Sequence, residues 1–348
     1  MSQSPIKTAL LSFGMSGKVF HAPFLSVSPK YILHGCWERN TKKIQQVYPT
    51  AISYNSIEAL LADDEVELVI VNTPNITHYD YAKKALKAGK HVLVEKPFAV
   101  TANECRELID IAQASDLRLS VYHNRRYDSD YLTVKDVLKK KLLGNVVEAE
   151  LHFDRFVETL SYKAHKETPV KGVGILYDLG SHLIDQALQL FGLPTAVFAD
   201  IRTVRPISKV DDYFELILYY NTLRVRIKAT ALAKEPQGYI IHGDKGSFIK
   251  PKTNIQEEAL AEGKLPTGDT WGKEKEEDWG TLNAEINGQF ERKKIPSLQG
   301  NYKDYFDGLY RSIREGATLS VLPEEASEVI RIIEAAFESN RAKQVFKL

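Results

Sequence analysis

What most restricts the fold of this chain is an alternation, repeated through its first third, of short apolar runs with longer helical patterns. Residues 6–13, 32–37, 68–71, 91–94 and 117–121 are mainly apolar and lack a polar-apolar alternation, as strands covered on both faces do. Between them, residues 42–47, 57–61, 78–88 and 101–114 read as helices, and Thr101 with Glu104 three residues on has the spacing of a capping box. Strand-helix alternation of this kind predicts a doubly wound parallel sheet.

The first strand runs into Ser12-Phe13-Gly14-Met15-Ser16-Gly17, a G-x-G-x-x-G fingerprint with serine at its first glycine. Gly14 would let the backbone approach a pyrophosphate, and Gly17 would let the following helix pack close while its amides face the phosphates. A plain strand-to-helix turn uses the same glycines. Pro23 falls inside the expected first helix and should bend or shorten it. At the end of the second strand, where the ribose reader belongs, stand Glu38 and Arg39. Glu38 suits ribose hydroxyls and Arg39 suits adenine or a 2′-phosphate, so the pair pulls in opposite directions on NAD against NADP. The carboxylate tips the expectation to NAD being accepted at least as well as NADP. After the third strand come Asn72-Thr73-Pro74-Asn75-Ile76-Thr77-His78, in a loop where open parallel sheets bind ligands. The candidate dinucleotide contacts are Ser12, Phe13, Gly14, Ser16, Gly17, Glu38, Arg39, Asn72, Thr73, Pro74, Asn75 and His78, with Glu95 and Lys96 at the next strand end.

Beyond about residue 127 the pattern changes. A helix over 127–141 is followed by a long alternating strand over 146–157, and a second helix over 176–190 stops at Gly192-Leu193-Pro194. Residues 196–204, 212–220, 224–232, 238–243 and 246–249 then read as a mainly antiparallel, open sheet. The stretch 252–300 reads as a long loop region with one short helix, and helices over 302–315 and 324–341 close the chain. Two domains are expected, a doubly wound dinucleotide-binding domain over residues 1–124 and an α/β domain over residues 125–348, which the family resemblance given below makes a Rossmann domain for NAD(P) and a substrate-binding and oligomerisation domain.

Three places carry candidate chemistry. Lys96, in Glu95-Lys96-Pro97 at a strand end, can hold a substrate hydroxyl and stabilise the oxyanion that forms from it. A surface lysine in a charged turn would look the same. Asp178 and His182 lie four apart on one helix and so share a face; the histidine suits a general base and the carboxylate can orient it. An N-cap with a surface histidine is the plainer alternative. The spacing could also serve zinc, but no H-E-x-x-H and no cysteine pair accompanies it, and no metal is expected. His123, Asn124 and Arg125, with Arg126, form a donor-rich stretch that joins the two expected domains and lines the cleft. Lys96, His123, Asn124, Arg125, Asp178 and His182 are the candidate substrate contacts.

Composition sets the remaining bounds. Forty-six basic residues balance forty-six acidic ones, so no long-range field gathers nucleic acid or anionic lipid. Neither is an expected partner. Cys36 and Cys105 are too few for a disulfide framework, which fits a reducing compartment. With no signal-peptide pattern at the N-terminus and no apolar run near the ~20 residues of a membrane span, the expectation is a cytoplasmic protein.

Taken in order and spacing, Ser12 to Gly17, the Thr73-Pro74-Asn75-x-x-His78 loop, Glu95-Lys96-Pro97 and the Asp178…His182 helix resemble the Gfo/Idh/MocA oxidoreductases over essentially the whole chain. Ser16 to Pro23, Ser120 to Arg126, Tyr177 to Gln186, Gln256 to Leu260 and Trp271-Gly272 resemble the branch with bacterial NADP-linked scyllo-inositol 2-dehydrogenases. The resemblance implies a Lys96, Asp178, His182 catalytic trio, NAD or NADP as cofactor, a sugar or inositol-like cyclic polyol as substrate, and a homo-oligomer, dimer or tetramer, built on the open sheet. In the implied mechanism, His182 takes the hydroxyl proton and Lys96 steadies the oxyanion. Asp178 hydrogen-bonds a substrate hydroxyl or orients His182. Two departures stand out: Ser12 for glycine, and Glu38 where NADP-linked members tend to carry a small residue. Two rivals stay open: a non-enzymatic NAD(P)-binding regulator, and a sugar-modifying enzyme that holds and recycles its nicotinamide.

Overall fold

Strand β1 (Ile6–Leu10) lies at the centre of a six-stranded parallel sheet with β2 (Tyr31–Trp37), β3 (Ile52–Tyr54), β4 (Leu68–Val71), β5 (His91–Val94) and β6 (Leu119–Val121). The order is β3-β2-β1-β4-β5-β6. The chain therefore reverses its winding between β1 and β4, and the loops after these two strands leave the sheet side by side. Every residue of β4 is buried, which explains its unbroken Leu-Val-Ile-Val sequence. The structure, a computed structural model, describes residues 4–39, 42–286 and 288–348.

Sequence reading gave this sheet five strands and missed β3. It is three residues long, lies at the edge and pairs only with β2, so it carries little apolar signal. Helices α1 (Ala22–Val27), α2 (Ile44–Val47), α3 (Ile57–Leu61), α4 (His78–Lys87) and α5 (Ala102–Ala114) fill the connections. The capping box at Thr101 and Glu104 is formed. The helix that Pro23 was expected to bend or shorten, α1, is six residues long. A π-helical turn, Gly17–His21, precedes α1, and Pro23 enters in the first turn of α1, where a missing N–H costs nothing.

The chain up to His123 forms one compact unit with two later segments, Gln256–Trp271 and Tyr302–Ser327. The sequence-based boundary at 124/125 did not anticipate those segments. Their attachment is aromatic. Helix α9 (Lys303–Glu315) and the residue before it present Tyr302, Tyr305, Phe306, Leu309 and Tyr310, a stripe at helical spacing, all buried. Phe306 stacks on Phe24 at 5.4 Å, and Tyr305 meets Tyr122 edge-on at 4.9 Å. Helix α8 (Ile255–Ala261) places Gln256 against both Trp271 and the Tyr302 amide.

The second unit comprises Asn124–Ile255, Gly272–Asn301 and Glu328–Leu348. Its nine-stranded sheet contains β7 (Val146–His152), β8 (Ala196–Arg202), β9 (Tyr213–Tyr219), β10 (Arg224–Thr230), β11 (Tyr239–Gly243), β12 (Gly246–Lys250), β13 (Gly280–Ile286), β14 (Gln289–Ile295) and β15 (Phe346–Lys347), in the order β14-β13-β12-β11-β7-β10-β9-β8-β15. Only the β7–β10 pairing is parallel. Burial alternates along β9, so one face carries the core, with Phe214, Leu216 and Leu218 at no exposure. The expected loop over 252–300 is corrected here: β13 and β14 form a hairpin. Strand β14, Gln-Phe-Glu-Arg-Lys-Lys-Ile, is an edge strand exposed nearly throughout; its charges discourage further strand pairing and hide it from apolar pattern reading. Helices α6 (Ser129–Lys139), α7 (Ser181–Phe191) and α10 (Pro323–Ala342) complete the chain. Among the described residues, no helix is long and apolar enough to cross a membrane.

Candidate functional site

In the first unit the glycine turn is built by close approach. A Cβ added to Gly17 would sit 2.3 Å from the Ser12 carbonyl oxygen and 3.0 Å from Asn72 Nδ2, so only glycine fits. Asn72 Nδ2 donates to that same carbonyl at 2.7 Å, tying the loop after β4 to the loop after β1. Ser12, in place of the usual glycine, accepts the Gly14 amide on its own hydroxyl at 3.1 Å. Phe13 is buried edge-on against Tyr48.

Glu95 faces this turn. Its Oε1 accepts from the Ser16 hydroxyl at 2.5 Å and pairs with His21 Nε2 at 2.8 Å, while Oε2 accepts the Lys96 amide at 3.2 Å. Burial pushes the carboxyl up, but His21 and Ser16 outweigh it and the net shift is down. The carboxylate thus couples the glycine turn to the strand end that carries Lys96. His78 is buried, with Nδ1 at 2.8 Å from the Pro97 carbonyl and Nε2 at 2.9 Å from the Thr73 carbonyl, and burial drives its pKa down. Glu95 and His78, expected to contact the dinucleotide, are bonded within the chain and tie together the loops after β1, β4 and β5. Thr73 and Thr77 share a hydroxyl bond at 2.7 Å beside Pro74 and Asn75.

Glu38 has backbone partners of its own. Its two oxygens accept the Lys43 and Ile44 amides at 3.0 and 3.1 Å, so the carboxylate caps the start of α2. Each oxygen keeps a further lone pair, so the same carboxylate can still accept ribose hydroxyls. Arg39 beside it is exposed.

In the second unit Asp178 lies in a π-helical turn, Leu176–Gly180, directly before α7, whose second residue is His182. Sequence spacing alone read this stretch as one regular helix; π turns recur at functional sites. Asp211 supports the turn by accepting the Leu176 amide at 2.9 Å, and burial raises its carboxyl to about 6. Gly174, at φ 116°, passes so close that an added Cβ would meet Asp211 Oδ1 at 1.9 Å. Asp178 Oδ2 accepts from Lys166 Nζ at 2.8 Å. His182 is 5% exposed, and its ring lies nearly parallel to Phe153 at 6.3 Å.

Helix α7 also fixes the turn Asn124–Tyr127. Asp185 receives Arg126 through two bonds, Nε–Oδ2 at 2.9 Å and NH2–Oδ1 at 2.6 Å, both groups being buried. Gln186 donates to the Arg125 carbonyl and accepts from Tyr239. Arg125 donates to Asp128 at 3.1 Å and Asn254 at 2.7 Å, with its guanidinium over Phe153. Both arginines are thus committed to protein partners. Asp185, Gln186 and Lys166 escaped sequence reading because their partners lie 59, 61 and 12 positions away. Lys96 and His123 belong to the first unit and Asn124, Asp178 and His182 to the second; His123 and Asn124 are buried. The one metal-like cluster among the described residues, His34, Asp63 and Glu65, is already engaged by Tyr54 and Lys7.

A parallel sheet that reverses at β1 and β4, with a glycine turn whose Gly17 admits no side chain, defines a Rossmann-type dinucleotide-binding protein. Comparison with known proteins narrows this class: residues 6–123 match the oxidoreductase family's NAD-binding Rossmann fold and residues 135–348 its C-terminal alpha/beta domain. The chain belongs to the Gfo/Idh/MocA oxidoreductase family, and NAD or NADP is its cofactor. It is 39% identical to the Bacillus subtilis scyllo-inositol 2-dehydrogenase (NADP(+)) IolW over 345 residues, 99% of this chain and 96% of that protein. The solved structure of the Bacillus subtilis oxidoreductase yvaA superposes with a TM-score of 0.96 at 37% identity, covering 100% of both chains. An oxidoreductase from Bacteroides fragilis superposes with a TM-score of 0.90 at 44% identity, over 99% of this chain and 100% of that one.

Proposed function

We propose that this enzyme is a dehydrogenase or reductase of CH–OH groups whose substrate is a ring hydroxyl, or the matching ketone, of an inositol-like cyclic polyol or a sugar. The observation that carries the reading is the likeness, along nearly the whole chain, to a scyllo-inositol 2-dehydrogenase. The commitment of the arginines supports it. A hydroxy acid calls for a bidentate arginine on its carboxylate, and Arg126 is held by Asp185 while Arg125 is held by Asp128 and Asn254.

Gly17 lets the turn after β1 pack close on the Ser12 carbonyl, where a side chain would not fit, as a pyrophosphate-binding turn requires, and the dinucleotide, when bound, would supply the hydride exchange. The chain supplies the proton and charge chemistry. His182 takes the hydroxyl proton as general base. Lys96 stabilises the oxygen as its charge develops. Asp178 accepts a neighbouring hydroxyl. Glu95 and His78 act through the loops they clamp. Each buried donor or acceptor that a wrong substrate fails to meet weakens its transition state. We place the enzyme in the cytoplasm as a homo-oligomer, a reading that the buried, unbridged cysteines Cys36 and Cys105 and the open sheet of the second unit support. A side-by-side assay of inositols and aldoses against lactate-like and malate-like acids, with each cofactor, tests the substrate class. Faster turnover of the acids overturns it.

A further inference from the structure

The loop between β7 and the Asp178 turn carries a device that the reaction outlined above leaves unused. Its residue Lys166 closes a 3-10 turn, Ala164–Lys166, in which the Lys166 amide donates to the Lys163 carbonyl at 2.9 Å and the Glu167 amide to the Ala164 carbonyl at 3.1 Å. The ammonium so placed donates to Asp178 Oδ2 at 2.8 Å. The next side chain, Glu167, turns back into the loop and accepts the Ser161 amide at 2.7 Å. Glu167 also lies 3.9 Å from Arg205. That arginine is buried, bonded to Asp212 at 2.8 Å, and donates to the Thr159 carbonyl at 2.6 Å and the Val157 carbonyl at 3.4 Å. One buried guanidinium thus anchors the near end of the loop, and through Glu167 the far end.

We propose that Lys166 is a positioning residue for the reaction, holding the Asp178 carboxylate as an anion and in one orientation from a loop anchored by Arg205. The proposal rests on reading Asp178 as a substrate-facing group. A lysine-carboxylate pair with side chains 40% and 36% exposed adds at most about 1 kcal/mol to stability, so folding alone gives little reason for this architecture. Ordering the loop in advance does lower the entropy lost when the lysine is held at the carboxylate. His165 also feels Asp178. Partial burial first, then Lys166 and Lys163, push its pKa down against the pull of Asp178. Lys166 therefore supplies positive charge at the carboxylate at neutral pH.

The test compares the wild type, Lys166→Met and Lys166→Arg as full chains loaded with dinucleotide. We follow the Asp178 carboxyl by carbon NMR on aspartate-labelled protein, with Asp178→Asn assigning its signal, and record the pH profile of kcat/KM on the best cyclic polyol. In Lys166→Met the Asp178 titration and the acid limb of the profile should both move up by about half a unit. The melting temperature should stay near wild type, and Lys166→Arg should restore both readouts. An Asp178 titration unchanged in Lys166→Met overturns the proposal whatever the turnover. If the titration moves but neither cyclic polyols nor sugars are turned over, the pairing stands and the substrate reading fails. If polyols are turned over and neither titration nor profile moves, the substrate reading stands and the role of Lys166 falls.

Discussion

Replacing Arg126 by methionine leaves the Asp185 carboxylate, itself 2% exposed, buried in the second unit without the two guanidinium bonds it now accepts at 2.9 and 2.6 Å. Breaking one side of a buried, bidentate pair costs about 3–5 kcal/mol, whereas replacing both partners by apolar groups of similar volume is close to neutral. For a unit of this size each kcal/mol moves the melting temperature by roughly 2–4 °C. Arg126→Met should therefore melt about 10 °C below wild type, Asp185→Leu should fall comparably, and the double variant should recover most of the loss. Thermal unfolding followed by circular dichroism across this double-mutant cycle gives the coupling directly. A substrate-binding Arg126 behaves otherwise: its loss raises KM and barely moves the melting temperature. If Arg126→Met melts within about 2 °C of wild type, or if the two single effects simply add, the structural assignment of Arg126 is refuted. The argument against a hydroxy-acid substrate would weaken with it.

Lys96→Ala and His182→Ala should each lose on the order of 10²–10⁴ in turnover with nearly wild-type melting; equal loss of folding would return both residues to structural roles. Gly17→Ala must push a methyl against the Ser12 carbonyl at 2.3 Å and should weaken NAD(P)H binding at least tenfold by fluorescence titration, while Gly14→Ala, whose Cβ meets only the Ser12 hydroxyl at 3.2 Å, should bind within a few-fold of wild type. Because burial lifts the Asp211 carboxyl to about 6, the folded chain holds that proton more tightly than the unfolded one, and stability should fall by about 1–3 kcal/mol as pH climbs from roughly 4 to 6. Asp211→Asn keeps an acceptor for the Leu176 amide and should flatten that part of the melting-temperature profile; an unchanged profile rejects the assignment. Glu38→Ser removes the bonds to the Lys43 and Ile44 amides and should loosen binding of NAD and NADP alike, so a clean switch from NAD to NADP preference would show that Glu38 reads the ribose after all.

The sequence by itself determined the features that depend on local chemistry. Unbroken apolar strands ending in polar loops fixed the parallel sheet, and the spacing of Gly14 and Gly17 behind β1 marked the dinucleotide turn. Thr101 with Glu104 announced a cap that is formed. The tertiary structure decided what each polar atom is bound to. Glu38 stands at the end of β2, where a ribose reader belongs, and the fold adds two backbone partners for it, the Lys43 and Ile44 amides at the start of α2. Arg126 looks free in a basic stretch until α7 brings Asp185 to it from 59 positions away. Strand β14 has no apolar alternation because nothing covers it, and only its pairing with β13 makes it a strand. The aromatic stripe of α9 is legible as a buried helix face, but the surface it covers, Phe24, Tyr31 and Tyr122, comes from nearly 300 residues earlier to under 200. Periodicity records which face of an element is buried. Which distant partner reaches that face first, and with what geometry, is settled by the competition among all contacts in the folded chain.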